Sequence, residues 1–259
     1  MAEAKTAIAN KPTWVDLSTT DAAAARDFYS KVFGWKIEVN PDPQYGGYGM
    51  GKVGDKQVAG IGPKMSPEAP TAWSLYIATD DADQLAKKVQ AAGGKVVAPP
   101  FDVGDQGRMA AFQDPSGAVI SAWQANAMRT PMPVGEANTF GWAELNARGV
   151  DKALPFYQKV FGWSLKTNDM GPNNPPYYEF QIDGQSIAGG QEMQPMVPAQ
   201  VPSYWLVYFT VPDVDKSFKA ATQAGGRETV APMDFPGGRF AIISDPQGAA
   251  FGLLKMAPQ

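Results

Sequence analysis

The stretch from Trp14 to Trp35, WVDLSTTDAAAARDFYSKVFGW, decides the fold because the chain contains a second version of it. The second version runs from Trp142 to Trp163, WAELNARGVDKALPFYQKVFGW, and aligns without a gap at an offset of 142 − 14 = 128 residues. The opening Trp, the FY pair and the closing KVFGW fall in register. The sequence of 259 residues is therefore a tandem duplication.

Each copy predicts a strand followed by a helix. Alternation places Trp14 and Asp16 on the same face of the strand. Asp21 is suited to cap a helix whose apolar residues recur on a single face, and Gly34 is suited to end that helix. In the second copy, Pro155 is expected in the first turn of the helix, where its missing N–H costs little.

The rest of the sequence repeats a similar pattern. WSLYIATDDADQLAKKVQAAGGK at position 73 returns as WLVYFTVPDVDKSFKAATQAGGR at 205, and GRMAAFQDPSG at 107 returns as GRFAIISDPQG at 238. Strand, helix and three strands are predicted each time, so the chain consists of four similar βαβββ modules. Modules 1 and 2 form the first half and modules 3 and 4 the second half. Their pairing in space, 1 with 2 or 1 with 4, is open at this stage.

The repeat sets the domain boundaries, because each half is long enough to bury its own core. The predicted segments are an N-terminal tail at 1–12, domain one at 13–126, a Pro- and Gly-containing linker at 127–138, and domain two at 139–257.

Composition excludes several functions. A net charge of −4, a pI near 4.9 and no cluster of Lys or Arg argue against nucleic-acid binding. No apolar run approaches the roughly 20 residues of a membrane span, and the start does not resemble a signal peptide, so a cytoplasmic location is predicted. The chain has no Cys and no His, which removes thiol chemistry and the commonest nitrogen ligand for metals.

The motifs resemble the vicinal oxygen chelate superfamily, which includes glyoxalase I, bleomycin- and fosfomycin-resistance proteins and extradiol dioxygenases. The resemblance is carried by D-x-x-x-A-x-x-FY-x-x-VFGW, by the D-D-A-D helix opening and by G-R-x-x-x-x-x-D-P-x-G before the last strand, and it covers nearly everything from 13 to 256. It is closest to two-domain bacterial members described as glyoxalase-like or hydroxylase-like. It implies an α+β fold: two glyoxalase-like domains, each of two βαβββ modules forming a curled, cup-shaped mixed sheet with helices outside.

The resemblance also implies where a metal would bind, since family enzymes place His and Glu ligands on the first and last strands of each module. The matching first-strand positions are Trp14, Ser74, Trp142 and Leu206, and the matching last-strand positions are about Gly60, Ser121, Gly189 and Gly252. None of these is a good transition-metal ligand, and they do not supply the converging carboxylates that a hard cation needs. We therefore predict no metal and no cofactor.

The same strand faces predict a ring-lined cavity. Asp16 lies beside Trp14 and Glu144 beside Trp142, with Tyr76 and Tyr208 at the matching places of modules 2 and 4. An aromatic wall with an acid and a phenol suits a flat apolar ligand with a polar edge. In the alternative interpretation, the rings fill a closed barrel centre.

Glu144 is the candidate general base, since crowding by aromatic side chains is expected to raise its pKa. Asp16 is a second candidate, with Tyr208 and Tyr76 as donors. The alternative is that Glu144 pairs with an Arg or with solvent. The candidate ligand-binding residues are Trp142, Trp14, Ser74, Ser121, Glu179, Gln191, Leu206, Arg108 and Arg239.

Glu179 and Gln191 are placed in this set because they could reach the cavity of domain two, although a solvated strand edge is an alternative for both. Arg108 and Arg239 could hold an anionic ligand. The favoured alternative for these two arginines is structural, namely a bond to the neighbouring D-P-x-G turn.

The leading functional hypothesis is a metal-independent protein that binds a hydrophobic or aromatic small molecule. The alternative is a glyoxalase-like or hydroxylase-like enzyme that acts by proton transfer on a carbonyl or polyketide-like compound. A metal-dependent lyase or oxygenase, and a chain with one degenerate domain, are further hypotheses. Domain two is the expected active half, and a monomer or a homodimer is expected.

Overall fold

The computed structural model describes residues 9–127, 131–172 and 174–257. The helices are α1 (Ala22–Phe33), α2 (Ala82–Ala91), α3 (Val150–Phe161) and α4 (Val214–Gln223). The strands of the first half are β1 (Pro12–Thr19), β2 (Lys36–Val39), β3 (Gly49–Val53), β4 (Lys56–Pro63), β5 (Ala72–Ala78), β6 (Lys95–Val103), β7 (Gly107–Gln113) and β8 (Val119–Ala125). Those of the second half are β9 (Thr139–Ala147), β10 (Ser164–Asn168), β11 (Tyr177–Ile182), β12 (Gln185–Glu192), β13 (Tyr204–Thr210), β14 (Arg227–Phe235), β15 (Gly238–Ser244) and β16 (Ala250–Met256).

The strands form two eight-stranded sheets of the same topology. Their orders are β2-β3-β4-β1-β5-β8-β7-β6 and β10-β11-β12-β9-β13-β16-β15-β14. In each module the first strand pairs with the last in parallel and the other pairs are antiparallel, so both sheets are mixed. Both are open at their edges rather than closed into barrels. The predicted α+β tandem duplication of βαβββ modules is confirmed. Within the described parts of the chain, no helix is long and apolar enough to cross a membrane.

Strand β1 shows the predicted alternation. Val15, Leu17 and Thr19 are buried, whereas Trp14 and Asp16 point to the other face and are partly exposed. The apolar residues on one face bury the strand against the helices, since burial of such side chains supplies the main driving force for packing. The opposite face of β1 carries the acidic side chain of Asp16.

The helices follow their sequence signals, with one correction. Asp21 caps α1 by accepting from the Ala24 N–H at 3.0 Å, and Gly34 ends it in the left-handed conformation at φ 69°. The prediction that Pro155 lies in the first turn of its helix is wrong, because α3 already begins at Val150 and Pro155 lies inside it. The helix starts earlier because Glu192, at the end of β12, accepts from the N–H groups of Gly149 and Val150.

The chain divides into two compact units, each combining a module from both halves. Unit 1 contains Met1–Trp14, Leu75–Pro131 and Ala143–Trp205, and unit 2 contains Val15–Ser74, Met132–Trp142 and Leu206–Gln259. Module 2 is thus grouped with module 3, and module 1 with module 4. The sequence left the pairing of modules open, and in the structure module 1 is grouped with module 4. The predicted domain boundaries remain a prediction, and residues 1–8 of the predicted tail and 128–130 of the predicted linker lie outside the described residues.

A buried hydrogen-bonded triad joins the two modules within unit 2. The hydroxyl of Tyr29, from the FY motif of module 1, donates to Asp245 Oδ2 at 3.0 Å, and Asp245 belongs to the D-P-x-G turn of module 4. Trp73 Nε1 donates to the same hydroxyl at 2.9 Å. All three residues are buried, and burial, followed by the charge of Asp245, raises the pKa of Tyr29 well above its usual value.

Unit 1 repeats this arrangement with the roles of the two halves exchanged. Tyr157, from module 3, donates to Asp114 Oδ2 of module 2 at 2.8 Å, and Trp205 Nε1 donates to the Tyr157 hydroxyl at 2.8 Å. Burying these polar groups is tolerated because each has a partner. The FY and D-P-x-G motifs therefore join the two modules that pack together in each unit.

The VFGW tryptophans make a second reciprocal contact. In unit 2, Trp35 Nε1 donates to the carbonyl of Asn138 at 2.8 Å; in unit 1, Trp163 Nε1 donates to that of Asn10 at 2.7 Å. Asn10 and Asn138 both adopt a positive φ, 65° and 62°, which Asn tolerates better than most residues. Each tryptophan therefore bonds a segment from the opposite half of the sequence.

Candidate functional site

The first feature of the candidate site is the glycine at the last-strand position of module 1. Gly60 on β4 lies opposite Asp16 on β1. A Cβ at Gly60 would lie 1.7 Å from Tyr48 Oη and 2.0 Å from Asp16 Oδ1. The space that a ligating side chain would need is therefore filled by Tyr48 and Asp16.

The equivalent position of module 4 is filled in a different way. Gly252 on β16 lies opposite Tyr208 on β13, and a Cβ at Gly252 would lie 1.9 Å from Cδ1 of the Tyr208 ring. In module 2, Ser121 lies opposite Tyr76, and both are buried.

The residues present do not fit the metal that the resemblance implies. Two of the last-strand ligand positions are glycines whose space is occupied by neighbouring side chains, and the whole sequence lacks His and Cys. Among the described residues, no group of three or more acidic side chains is placed to hold a metal ion. No catalytic step is therefore derived through a metal at these positions.

Both halves carry an acid–tyrosine hydrogen bond on the first strand of a module. Tyr48 donates to Asp16 Oδ1 at 2.8 Å, and Tyr177 donates to Glu144 Oε2 at 3.1 Å. The two pairs occupy matching places. Asp16 and Glu144 lie on the first strand of their modules, and the two tyrosines lie at or just before the start of β3 and β11.

Glu144 also has two amide partners. Gln191 Nε2, on the neighbouring strand β12, donates to Glu144 Oε1 at 2.9 Å and to Asn146 Oδ1 at 3.1 Å. Asn146 Nδ2 donates to Glu144 Oε1 at 3.3 Å. Together with the Tyr177 hydroxyl, these donors occupy acceptor sites on both carboxylate oxygens. The structure thus brings together two predicted residues, Glu144 and Gln191, with Asn146 and Tyr177.

Tyr204 lies at the start of β13, and the charge of the Glu144 carboxylate affects its pKa. Burial raises its pKa above the usual value, and the negative charge of Glu144 raises it further. A tyrosine with a raised pKa keeps its proton at neutral pH and remains a potential hydrogen-bond donor. Its neighbourhood therefore combines a carboxylate with protonated phenols.

Glu179 belongs to a separate network on the outer strands of the second half. It accepts from Lys166 at 3.0 Å, from Asn168 at 2.7 Å and from the Ser186 hydroxyl. Although partial burial opposes the change, the hydrogen bonds from Ser186, Lys166 and Asn168 lower the pKa of Glu179. Its place in the ligand-binding set remains a prediction.

The predicted bond between the two arginines and the D-P-x-G turns is wrong. Arg108 bonds Asp83 and Asp102, both at 2.9 Å. Arg239 likewise bonds Asp215 and Asp234, both at 2.8 Å. The turn aspartates are instead satisfied by their own turn N–H groups and by the buried tyrosines. A ligand-binding role for either arginine remains a prediction.

The other predicted residues lie on first strands of the modules. Trp14, Ser74 and Trp142 are partly exposed, whereas Leu206 is buried. Their contribution to ligand binding, like the donor roles of Tyr76 and Tyr208, remains a prediction.

Sequence reasoning missed the tyrosines that bond the two acids. The repeat offset changes from 128 residues at Asp16 and Glu144 to 177 − 48 = 129 at Tyr48 and Tyr177, because the intervening loop is one residue longer in the second half. With the offset held at 128, Tyr177 aligns with a glycine. Aligning the second pair of strands separately would have revealed the matched tyrosines.

Comparison with known proteins identifies the family to which this sequence is similar. The sequence model described as Glyoxalase/Bleomycin resistance protein/Dioxygenase superfamily matches residues 11–121 and 139–253. "Putative glyoxylase CFP32" of Mycobacterium tuberculosis is 43% identical over 254 residues, covering 96% of this chain and 95% of the relative. "Anthracycline biosynthesis protein DnrV" of Streptomyces peucetius is 36% identical over 260 residues, covering 95% and 93%.

Solved structures show the same fold at lower sequence identity. The Mn(II)-bound glyoxalase from Novosphingobium aromaticivorans superimposes with a TM-score of 0.64 at 17% identity, covering 95% of this chain and 81% of that chain. The 2,3-dioxygenase LapB from Pseudomonas sp. KL28 also gives a TM-score of 0.64, at 15% identity, covering 96% and 93%.

Proposed function

Given that the chain belongs to the glyoxalase/bleomycin resistance protein/dioxygenase superfamily, we propose that it binds a hydrophobic or aromatic small molecule without using a metal. The observation that supports this proposal is that side chains fill the space at two of the implied metal-ligand positions. Asp16 and Tyr48 occupy the space at Gly60, and the ring of Tyr208 occupies the space at Gly252.

The cluster around Glu144 defines the polar end of the proposed site. Glu144 supplies a carboxylate acceptor, and Gln191 and Asn146 supply amide groups that orient it. Buried or half-buried carboxylates bond ligand hydroxyls strongly, since a hydrogen bond to a charged group contributes about 1.5–3 kcal/mol. A ligand with a hydroxyl-bearing edge and an apolar ring system matches this arrangement and the nearby aromatic residues.

The relative named for anthracycline biosynthesis supports a polycyclic ligand of this kind. Anthracyclines are planar ring systems that carry phenolic hydroxyls on one edge. A ligand of the anthracycline type is therefore the first compound to test. The proposed partner is a small molecule only, and the proposed location is the cytoplasm, with the chain acting as a monomer or a homodimer.

The test is a fluorescence titration of the purified protein with daunorubicin. Saturable binding is expected, followed by recovery of unaltered ligand by mass spectrometry. Glu144→Gln should weaken binding about tenfold, because the amide replaces a charged acceptor with a neutral one. The matched control is Glu136→Gln, which changes an exposed surface acid of the other unit. Unchanged affinity in Glu144→Gln, or loss of binding on metal chelation, would contradict the proposal.

The second candidate function is catalysis by proton transfer. It is favoured by the juxtaposition of Glu144 with Tyr177 at 3.1 Å and by the raised pKa of Tyr204, which together provide a base and a protonated donor. Glu144 is the proposed base in the second half and Asp16 in the first, with Tyr208 and Tyr76 as further donors. Under this hypothesis a converted product appears with the wild type, and Glu144→Gln abolishes turnover while ligand binding survives.

A further inference from the structure

A pocket lies at the outer edge of the first repeat, away from the Glu144 cluster in sequence and on a different unit. Its volume is about 340 Å³, within the lower range of small-molecule sites. It is built on β2, the following loop, β3 and β4. The lining residues are Glu38, Val39, Asn40, Pro41, Tyr48, Met50, Lys52 and Gln57.

The floor of the pocket is on the sheet face that carries Asp16. Cross-strand pairing places Glu38 opposite Met50, Met50 opposite Gly60, and Gly60 opposite Asp16. Directly paired residues on neighbouring strands point to the same face of a sheet. Met50 therefore lies in one row with the acid that bonds Tyr48.

The second repeat carries polar side chains at the matching place. Its equivalent row is Lys166, Glu179, Gly189 and Glu144, so Glu179 occupies the place of Met50. Glu179 is fixed there by Lys166, Asn168 and Ser186. The duplicated halves thus differ at the Met50 position, which carries an apolar, unbranched side chain in the first repeat and an anchored carboxylate in the second, and the neighbouring Glu38 is matched by Lys166.

One wall of the pocket is held in place. The Tyr48 hydroxyl donates to Asp16 at 2.8 Å. The Tyr48 ring lies close over Gly60 and Gly62, where added Cβ atoms would lie 2.4 Å from Cζ and 3.0 Å from Cδ2 of the ring. A rigid aromatic wall reduces the entropy lost on binding. Met50 adapts to irregular ligand shapes because its unbranched chain has several rotatable bonds.

The charged rim is balanced. Lys52 Nζ lies 2.5 Å from Glu38 Oε2, and this hydrogen bond, although slight desolvation opposes it, lowers the pKa of Glu38, so the pair stays ionised at neutral pH. Lys36, opposite Lys52 on the neighbouring strand, also lies with its Nζ 3.6 Å from Glu38 Oε1. The Asp16 carboxylate lies in the same cross-strand row as Glu38, so two cations face two anions and a ligand with a net charge gains little from the rim. Gln57 and Asn40 add both amide donors and acceptors.

We infer that this pocket is a second ligand site, which takes a neutral, amphipathic aromatic molecule of about two or three rings. The ring system packs between Tyr48, Met50 and Pro41, and the hydroxyl or carbonyl edge faces Gln57 and the Lys52–Glu38 pair. The inference rests on the proposed function and extends it to the first repeat, since Tyr48 bonds Asp16. It is tested separately because its other lining residues differ from those around Glu144.

The test uses N-phenyl-1-naphthylamine, a neutral probe that fluoresces in apolar surroundings. Met50→Gln keeps the side-chain length and removes its apolar character, so the dissociation constant should rise about tenfold. The matched control is Met65→Gln, at a methionine that is 74% exposed and outside the pocket. Val39→Asp, at a half-exposed residue of the pocket rim, provides a second variant whose folding is not at risk, and it should also weaken the probe.

A charged analogue of the probe provides the second part of the binding test. 8-Anilinonaphthalene-1-sulfonate has the same ring system with an added negative charge, and it should bind at least about tenfold more weakly than the neutral probe. Equal binding in Met50→Gln, Val39→Asp and Met65→Gln would overturn the inference, as would tighter binding of the sulfonate that is lost in Lys52→Met. Glu144→Gln should leave the Met50-dependent probe binding unchanged, which separates this result from the test of the Glu144 site.

Discussion

At the scale of single residues, two glycines determine what the sheet faces can hold. Gly60 leaves room for the Asp16–Tyr48 hydrogen bond, and Gly252 leaves room for the ring of Tyr208. At Gly60 the obstructing atoms are the ends of two side chains. At Gly252 they belong to the ring itself, close to its attachment, where the side chain has little freedom to move.

Gly252→Ala is therefore expected to lower the free energy of unfolding by about 1–3 kcal/mol, the range for overpacking a buried site. The added Cβ would lie 1.9 Å from Tyr208 Cδ1, so the ring must shift. Urea denaturation measures the change. In a double-mutant cycle, Tyr208→Ala should remove most of the cost of Gly252→Ala. Additive effects of the two substitutions would contradict this account of the contact.

The sequence predicted this site in part. It identified Glu144 and Asp16 from strand alternation, because period-two placement needs only local spacing. Gln191 was a candidate only because it lies at the end of a glycine-rich strand, and spacing did not determine its face. It did not identify Tyr48, Tyr177 or the other partners. Their positions depend on how β3 and β11 register against neighbouring strands, and a one-residue difference in loop length hid their equivalence.

At the scale of elements, helix α3 begins without a capping side chain of its own. The cap position is Gly149, whereas Asp21 caps the equivalent helix α1. Glu192, at the end of β12, supplies the missing acceptor: its carboxylate accepts from the N–H of Gly149 at 2.9 Å and of Val150 at 2.8 Å. A carboxylate at a helix N-terminus also interacts favourably with the helix dipole.

Glu192→Ala should lower the free energy of unfolding by about 1–2 kcal/mol, the cost of losing an N-cap. Thermal or urea denaturation measures the effect, which should be larger than in Glu136→Ala. Glu136 forms an exposed ion pair with Lys56 and is expected to contribute less than about 0.5 kcal/mol. Equal stability of the two variants would show that α3 does not depend on this cap.

The elements themselves were largely predictable, since helix faces, strand alternation and the Gly34 signal are local features of the sequence. The start of α3 was not, because its cap comes from Glu192, 192 − 149 = 43 residues away from Gly149. Local sequence around Gly149 and Val150 contains no Ser, Thr, Asp or Asn at the cap position. A distant carboxylate in place of a local cap is a tertiary effect that spacing alone does not reveal.

At the scale of the whole molecule, the sequence predicted the duplication but left the pairing of modules open. The motifs that decide it are present in both halves, so either pairing satisfies the same residue types. Tyr29 bonds Asp245 and Tyr157 bonds Asp114, and each bond therefore joins modules from different halves. Burial of Phe28 and Phe33 against Phe209 and Phe251 accompanies the first of these bonds.

Because each module packs against one from the other half of the sequence, we can predict how the first half behaves when residues 1–126 are expressed alone. Such a chain retains Tyr29 but loses Asp245, and α1 loses its packing against Phe209 and Phe251. It still contains Asp114, and it carries Ile77 and Ile120 at the places that match Phe209 and Phe251. Two copies can therefore restore both the buried hydrogen bond and the apolar contacts by pairing module 1 of one copy with module 2 of the other.

The isolated half should accordingly be a dimer in light scattering, with an unfolding midpoint that rises with protein concentration. Tyr29→Phe leaves the buried acid and Trp73 without their shared partner, so it should raise the dimer dissociation constant by about tenfold or more. The matched variant Tyr45→Phe, at a partly exposed tyrosine that ends the 3₁₀ helix Pro43–Tyr45, should have little effect. A stable, folded monomer of residues 1–126 would mean that each half packs on itself and that the Tyr29–Asp245 bond does not govern the assembly of the chain.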